Sequence, residues 1–241
     1  MTLTSGLSAG AASTAVTAKA AYEAAIIQAG QQNLHFVSKA TQQGIVLGVV
    51  GDAGKTSGSQ VLIVQSGPTV ETLEAILIGV TGYVRGNTAA LERILGLTAA
   101  QSKKYASTWL AFPITNTTLA DLVGGLQDKD IATELQMGGP YSFGPSKTIA
   151  GHATQAIDGF AASSSGAKVP VVLYVEKGKT PRPVQEVTNP KKVNTTIQGT
   201  VTFSKWGEAT HTKVPSHVVS LNFTPPTTST PAPPAGGATG G

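Results

Sequence analysis

The chain has 241 residues, a formal net charge of +4, 12% charged and 40% hydrophobic residues, 28 Gly and 14 Pro. That length admits one large β-rich domain or two small ones, and the low charge with many turn formers points to β structure rather than a helical bundle. Having no cysteine, the chain as written excludes disulfides, zinc–thiolate sites, thiol catalysis and Cys-linked lipidation, and its dispersed basic residues with only 5% aromatics argue against nucleic acid as a partner.

Residues 1–13 are small and polar and are expected to be disordered. This N-terminus has neither a basic n-region nor an unbroken apolar h-region, and nowhere do about 18 apolar residues run together. Thr14 to Gln32 is Ala-rich and predicts a helix with Val16, Ala20, Ile26 and Ile27 on one face. From Asn33 the pattern turns to β, with runs at 34–41, 44–50, 59–66, 71–79 and 81–86 separated by short turn-rich gaps, as in antiparallel hairpins. Helices are predicted over 88–95, 99–107 and 118–136, with a short 109–113 stretch between them and Asn116, Thr117 or Thr118 capping the last. Strand character returns around Tyr141–Phe143, Gly151–Phe160, Val169–Val175 and Thr195–Trp206, and 169–187 reads as a hairpin turning at Gly178, Lys179 and Thr180.

In the last of these strands Ile197, Val201 and Phe203 share one face and Gln198, Thr200, Thr202 and Ser204 the other, so it covers something apolar on a single side. The runs at 44–50, 61–64 and 75–79 are instead apolar on both faces, which predicts a sandwiched sheet or an unusually greasy inner face. From Phe223 a Pro, Thr and Gly tail lacks core-forming residues and is expected to be disordered. The expected organisation is therefore a segment 1–13, one domain 14–222, and a tail 223–241.

Gly54-Lys55-Thr56 carries the ending of a nucleotide-binding P-loop. The motif needs Gly at position 49, which is Val49, and a helix afterwards, where Ser59 to Gly67 has strand composition. A polar hairpin loop, Gly51 to Gly58, is the better reading, so no nucleotide is expected. His35, His152, His211 and His217 are scattered and predict no metal site. Ser163 to Gly166 lacks the spacing of a nucleophile elbow and reads as a loop. Glu71 with Glu74 is weak as an acid/base pair, and Asp121, Asp128, Asp130 and Glu134 read as a solvated helix face. Trp109, Trp206, Tyr83 and Tyr174 fall in or beside strands, where packing accounts for them. No catalytic residue, metal or cofactor is expected.

Residues 83–113 run from a strand ending in Tyr83-Val84-Arg85-Gly86-Asn87, through helices carrying Leu91, Leu95-Gly96-Leu97 and Tyr105-Ala106, to a strand opened by Trp109. With Ser57-Gly58-Ser59-Gln60, Val172-Leu173-Tyr174-Val175 before Pro181 and Pro183, and Val201 to Gly207 before Val214-Pro215, this block resembles actinobacterial cell-envelope lipoproteins of the LppX/LprA/LprF/LprG type over about residues 20–222. The resemblance implies an α+β fold: a strongly curved antiparallel sheet, a half-barrel like that of LolA and LolB, with helices on its concave side. It also implies an apolar cavity for lipid or lipoglycan acyl chains, an extracytoplasmic envelope location, association with a membrane surface and no enzymatic activity. The lipobox cysteine and signal sequence of that family are absent from the chain as given.

On that plan the cavity candidates are Val46, Leu62, Val64, Ile76 and Ile78 from the doubly apolar strands, with Phe36, Leu173, Val201 and Phe203. The alternative is the same fold with a filled core, acting in the envelope as a structural or interaction protein.

Overall fold

A computed structural model describes residues 16–162, 168–190 and 198–221. The readings of 1–13, of Ser163 to Gly166, of Ile197 and of the tail from Phe223 lie outside the described residues.

The chain opens with α1 (Ala18–Ala29), capped by the Thr17 side chain. Five strands follow, β1 (Leu34–Gln42), β2 (Ile45–Ala53), β3 (Ser57–Ser66), β4 (Thr69–Ile78) and β5 (Thr81–Gly86), each antiparallel to the one before. The Asn87 side chain caps α2 (Thr88–Arg93) by accepting from the Ala90 N–H at 2.9 Å, and Thr98 with Gln101 closes a capping box on α3 (Ala99–Tyr105). β6 (Trp109–Pro113) returns to the sheet beside β5.

The single helix expected over 118–136 is broken into α4 (Thr117–Ala120), a 3₁₀ turn over Asp121–Val123, and α5 (Asp128–Glu134). Gly124 and Gly125 interrupt it, and Gly125 has φ +74°, a conformation that other residues resist. Five further strands, β7 (Gly138–Ile149), β8 (His152–Ala162), β9 (Lys168–Glu176), β10 (Pro183–Thr188) and β11 (Gln198–Ser204), form a second antiparallel meander, and β12 (Val218–Ser220), a strand the sequence reading does not include, pairs in parallel with β6.

The two meanders are one sheet because β11 pairs with β1, giving the order β12-β6-β5-β4-β3-β2-β1-β11-β10-β9-β8-β7. The sheet does not close on itself. It is a strongly curved, mostly antiparallel half-barrel with the helices on its concave side.

Residues opposite one another across a ladder share a face, so the registers assign the two surfaces. The inner row from Leu73 of β4 continues through Leu62, Val49, Ser38, Val201 and Glu186 to Leu173 and Ile157, with Leu77, Ala75, Phe36 and Phe203 on the same face. Against it pack Tyr22 and Ala25 of α1, Ala90 and Leu91 of α2, and Ile131 of α5, which form one core. The buried face of α1 is Ala18, Tyr22, Ala25 and Ala29; Val16 and Ile27, expected on that face, are exposed.

The doubly apolar strands divide between the surfaces. Val37, Val50, Val61 and Ile63 lie on the outer, convex face and are 37–46% exposed. Val46, Ile76 and Ile78 share that outer face.

The Gly54-Lys55-Thr56 turn joins β2 to β3, with strand rather than helix on its far side. Its glycines serve close approach more than turning, which sharpens the hairpin-loop reading. The backbone before α5 crosses the hairpin tip: the Gly54 N–H donates to the Leu126 carbonyl at 3.3 Å, and the Asp128 N–H donates to the Gly54 carbonyl at 3.2 Å. A Cβ on Gly58 would collide with the carbonyl oxygens of Leu126 and Asp52, and neither backbone has room to yield. Gly58→Ala is therefore expected to lower stability by about 3 kcal/mol, the upper part of the range for overpacking. Gly48→Ala, with nothing within 4 Å of its new methyl, should be neutral or stabilising by about 0.5 kcal/mol. Urea denaturation of the two variants beside the parent checks both.

Candidate functional site

Between the inner face and α5 the packing leaves a cavity of about 280 Å³. Its walls come from β1 (Phe36, Ser38), β2 (Val49), β3 (Gln60), β10 (Glu186), β11 (Val201, Phe203), α5 (Ile131, Glu134, Leu135) and the Gly124-Gly125 break. Phe36 and Phe203 face each other across the β1–β11 pair, as do Ser38 and Val201, so the floor straddles the seam between the two meanders. Gly51, opposite Phe36 on β2, leaves room for its ring: a Cβ there would come within 2.6 Å of the ring edge.

The roof is held by polar contacts. The Gln60 amide donates to the Leu122 carbonyl at 2.9 Å, tying the 3₁₀ turn to β3. Tyr22 of α1 receives the Met137 N–H at 2.9 Å and donates to the Leu135 carbonyl at 3.3 Å, and its ring stacks on Tyr141 at 4.9 Å.

Beside the neutral Ser38 and Gln60, two carboxylates line this space. Glu186 sits opposite Leu173 on one side and Val201 on the other, which points it at the helices. Burial pushes its carboxyl up to about 7; the Thr188 hydroxyl, donating at 3.4 Å, opposes the rise and the Glu134 charge adds to it. Glu134 is also raised, by desolvation first and by Asp130 second. A Cβ on Gly125 would lie 2.8 Å from the Glu134 carboxylate, so the break also makes space for this group.

Of the residues singled out from the sequence, Phe36, Val201 and Phe203 line the cavity. Leu62, Val64 and Leu173 share the inner face, as register mates of Leu73, Glu71 and Glu186, but stand outside the lining. Val46, Ile76 and Ile78 point to the convex face, away from any space between sheet and helices, and leave the set of candidates; alternation along β2 and β4 puts them there.

Val49 falls within the apolar run Ile45 to Val50 that flanks the hairpin loop, whereas the sequence reading did not select Ser38, Gln60, Ile131, Leu135 or either glutamate for this site. Of the acids expected on a solvated helix face, Asp128 is buried instead, while Glu134 is exposed as expected and also lines the cavity. Of the paired candidates from the sequence, Glu71 meets Arg93 through Oε1, and Glu74 accepts both of its bonds from Arg85, whose guanidinium lies 4.7 Å from the centre of the Trp109 ring.

Elsewhere, a polar cleft of about 430 Å³ on the outer face is lined by His35, Asp52, Ser59, Lys205 and His211, with His35 Nδ1 2.8 Å from Asp52. Among the described residues no group of three His, Cys, Asp or Glu side chains is placed to hold a metal ion. A groove of about 540 Å³ runs along the other flank of α1, between Ala20, Ala24 and Phe143.

No protein-family model matches the chain, and no curated protein matches it in sequence. Among solved structures it is similar to LprF from Mycobacterium bovis, at 14% identity and a TM-score of 0.52, over 80% of this chain and 94% of that one. The chain has an LprF-type fold. Mycobacterium tuberculosis lipoprotein LppX is matched at 14% identity and a TM-score of 0.48, over 80% of this chain and 96% of the other. In this LprF-type half-barrel the cavity lies where sheet and helices meet, and its two carboxylates are features of this chain's own sequence.

The raised Glu186 carboxyl makes stability depend on pH. Between its ordinary value of 4.5 and about 7 the unfolded chain has lost this proton and the folded chain keeps it, so stability falls as pH rises through that window and is level above it. The shift corresponds to a loss on the order of 3 kcal/mol. Glu186→Gln should remove this slope and be the more stable protein at about pH 8; thermal melts of both proteins across that range check it.

Proposed function

We propose that the protein binds a hydrophobic ligand, a lipid or lipoglycan acyl chain, between its sheet and helices, without catalysing a reaction. The observation that carries this reading is the cavity itself: six apolar side chains, Phe36, Val49, Ile131, Leu135, Val201 and Phe203, around about 280 Å³ in the core layer of an LprF-type half-barrel. That volume lies just below the roughly 300–1,000 Å³ usual for ligand pockets, so the cavity suits one alkyl chain and not a bulky ligand. Each buried methylene contributes about 0.8 kcal/mol, and a modest length of chain is enough for tight binding.

A larger lipid engages the groove beyond α1 as well. α1 lines that groove with Ala20, Ala21 and Ala24, and apart from Tyr22 its buried face is alanine. Residence in the cell envelope and contact with a membrane surface belong to the same proposal, which rests for them on the resemblance in sequence and fold.

A second reading, an interaction protein of the envelope, is favoured by one observation: the exposed Val37, Val50, Val61 and Ile63 on the convex face. The two readings part on occupancy. Titration with the neutral fluorescent probe N-phenyl-1-naphthylamine is expected to give saturable binding, and Val201→Phe, which fills the cavity floor, to weaken it about tenfold or more with unchanged circular dichroism. Native mass spectrometry should find organic-extractable adducts on the parent only. No saturable binding, or binding indifferent to Val201→Phe, removes the cavity reading and leaves the convex face as the working surface.

A further inference from the structure

The cavity's polar groups carry information about the end of the ligand that is not a hydrocarbon. Resting on the binding reading just given, we infer that this cavity selects an amphiphile with a cationic amine head and rejects one with a carboxylate or phosphate head. Glu186 enters from the sheet and Glu134 from the helical side, so the two acids approach the same space from opposite walls. The remaining polar lining, Ser38 and Gln60, is neutral, and no Lys, Arg or His is among the lining residues.

The groups that act on this pair are of one sign or uncharged. Asp130 of α5 adds to the field at Glu134, Tyr22 of α1 couples to Glu186, and Thr188 on its own strand donates to it. Two acids on opposite walls of the cavity, Glu186 partly buried and Glu134 open to solvent, with no cation among the lining residues, leave a deficit of positive charge, which an ammonium group meets with charge-assisted hydrogen bonds. An anionic head would add a further like charge to the same low-dielectric space and is repelled. The alkyl chain of such a ligand lies against Phe36, Val201 and Phe203 while its head reaches the two glutamates.

Burial supports the same reading. The Glu186 proton is retained up to about 7, so an ammonium ligand has to displace it, and the preference for amine must weaken as pH falls through that value.

The test displaces N-phenyl-1-naphthylamine from the full chain with dodecylamine, dodecanol and dodecanoate, each below its micellar concentration. At about pH 8 dodecylamine is expected to bind about tenfold tighter than dodecanol, and dodecanoate weakest. The amine's advantage should shrink severalfold by about pH 5.5. Glu186→Gln should weaken the amine without changing the alcohol, and Glu134→Gln should do the same if the first variant folds poorly. Val201→Phe should abolish the difference between probes, which separates the cavity from the acidic surface at large.

Equal affinity for amine and alcohol, or tightest binding of dodecanoate, overturns the head-group inference while leaving the cavity in place. An amine preference untouched by both glutamine variants overturns it equally. Failure of all three alkyl probes and of the naphthylamine removes the binding reading and this inference with it.

Discussion

The pairing of β1 with β11 is the interaction on which the rest of this structure depends. Seven residue pairs, from His35–Ser204 to Thr41–Gln198, join a meander made early in the chain to one made late. Bringing together segments so distant in sequence costs loop-closure entropy that local hairpins do not incur. What repays that cost is the inner face of the pair, where Phe36 meets Phe203 and Ser38 meets Val201. Four of the cavity's lining residues therefore come from this seam, and the space exists only once the seam has formed.

A second constraint sets the height of the roof. The segment before α5 lies across the β2–β3 hairpin tip, bonded through Gly54 and pressed against Gly58. This contact anchors one end of α5, and the Gln60 bond to Leu122 anchors the turn before it. Between those anchors and the floor, the Gly124-Gly125 break takes up the space a continuous helix would need. The roof is thus held by backbone contacts and hydrogen bonds at its edges, and the centre is left for side chains that do not fill it.

Much of this fold was legible in the sequence because its first half is local. Alternation and turn composition set β1 to β5 within a few residues, and the helices expected over 88–95 and 99–107 coincide with α2 and α3. The sheet-and-helix plan came from the resemblance carried by residues 83–113 and their companions. Legibility ended where distance along the chain began. Val46, Ile76 and Ile78 are as apolar as Leu62, and only the register against a neighbouring strand tells which of them faces the helices. Glu186 had no local signal at all, since its direction is fixed by Leu173 and Val201 on either side of it. The helix expected over 118–136 is broken where Gly124 and Gly125 fall, Gly125 at φ +74°, and that expectation took no account of these two glycines.

The same logic explains why the two glutamates matter more than their number suggests. A carboxylate in an apolar pocket lowers stability whenever it is charged, and an amide of the same shape does so far less. Glu74 and Glu176 avoid that cost through arginine partners at hydrogen-bond distance, and Glu71 meets Arg93 through Oε1 while its buried Oε2 has no hydrogen-bond partner among the described residues. Glu186 has a threonine hydroxyl at 3.4 Å and another acid nearby. Where three carboxylates of one sheet are neutralised by the chain itself and the one facing the cavity is not, the unbalanced group is the part of the lining best placed to discriminate among what enters.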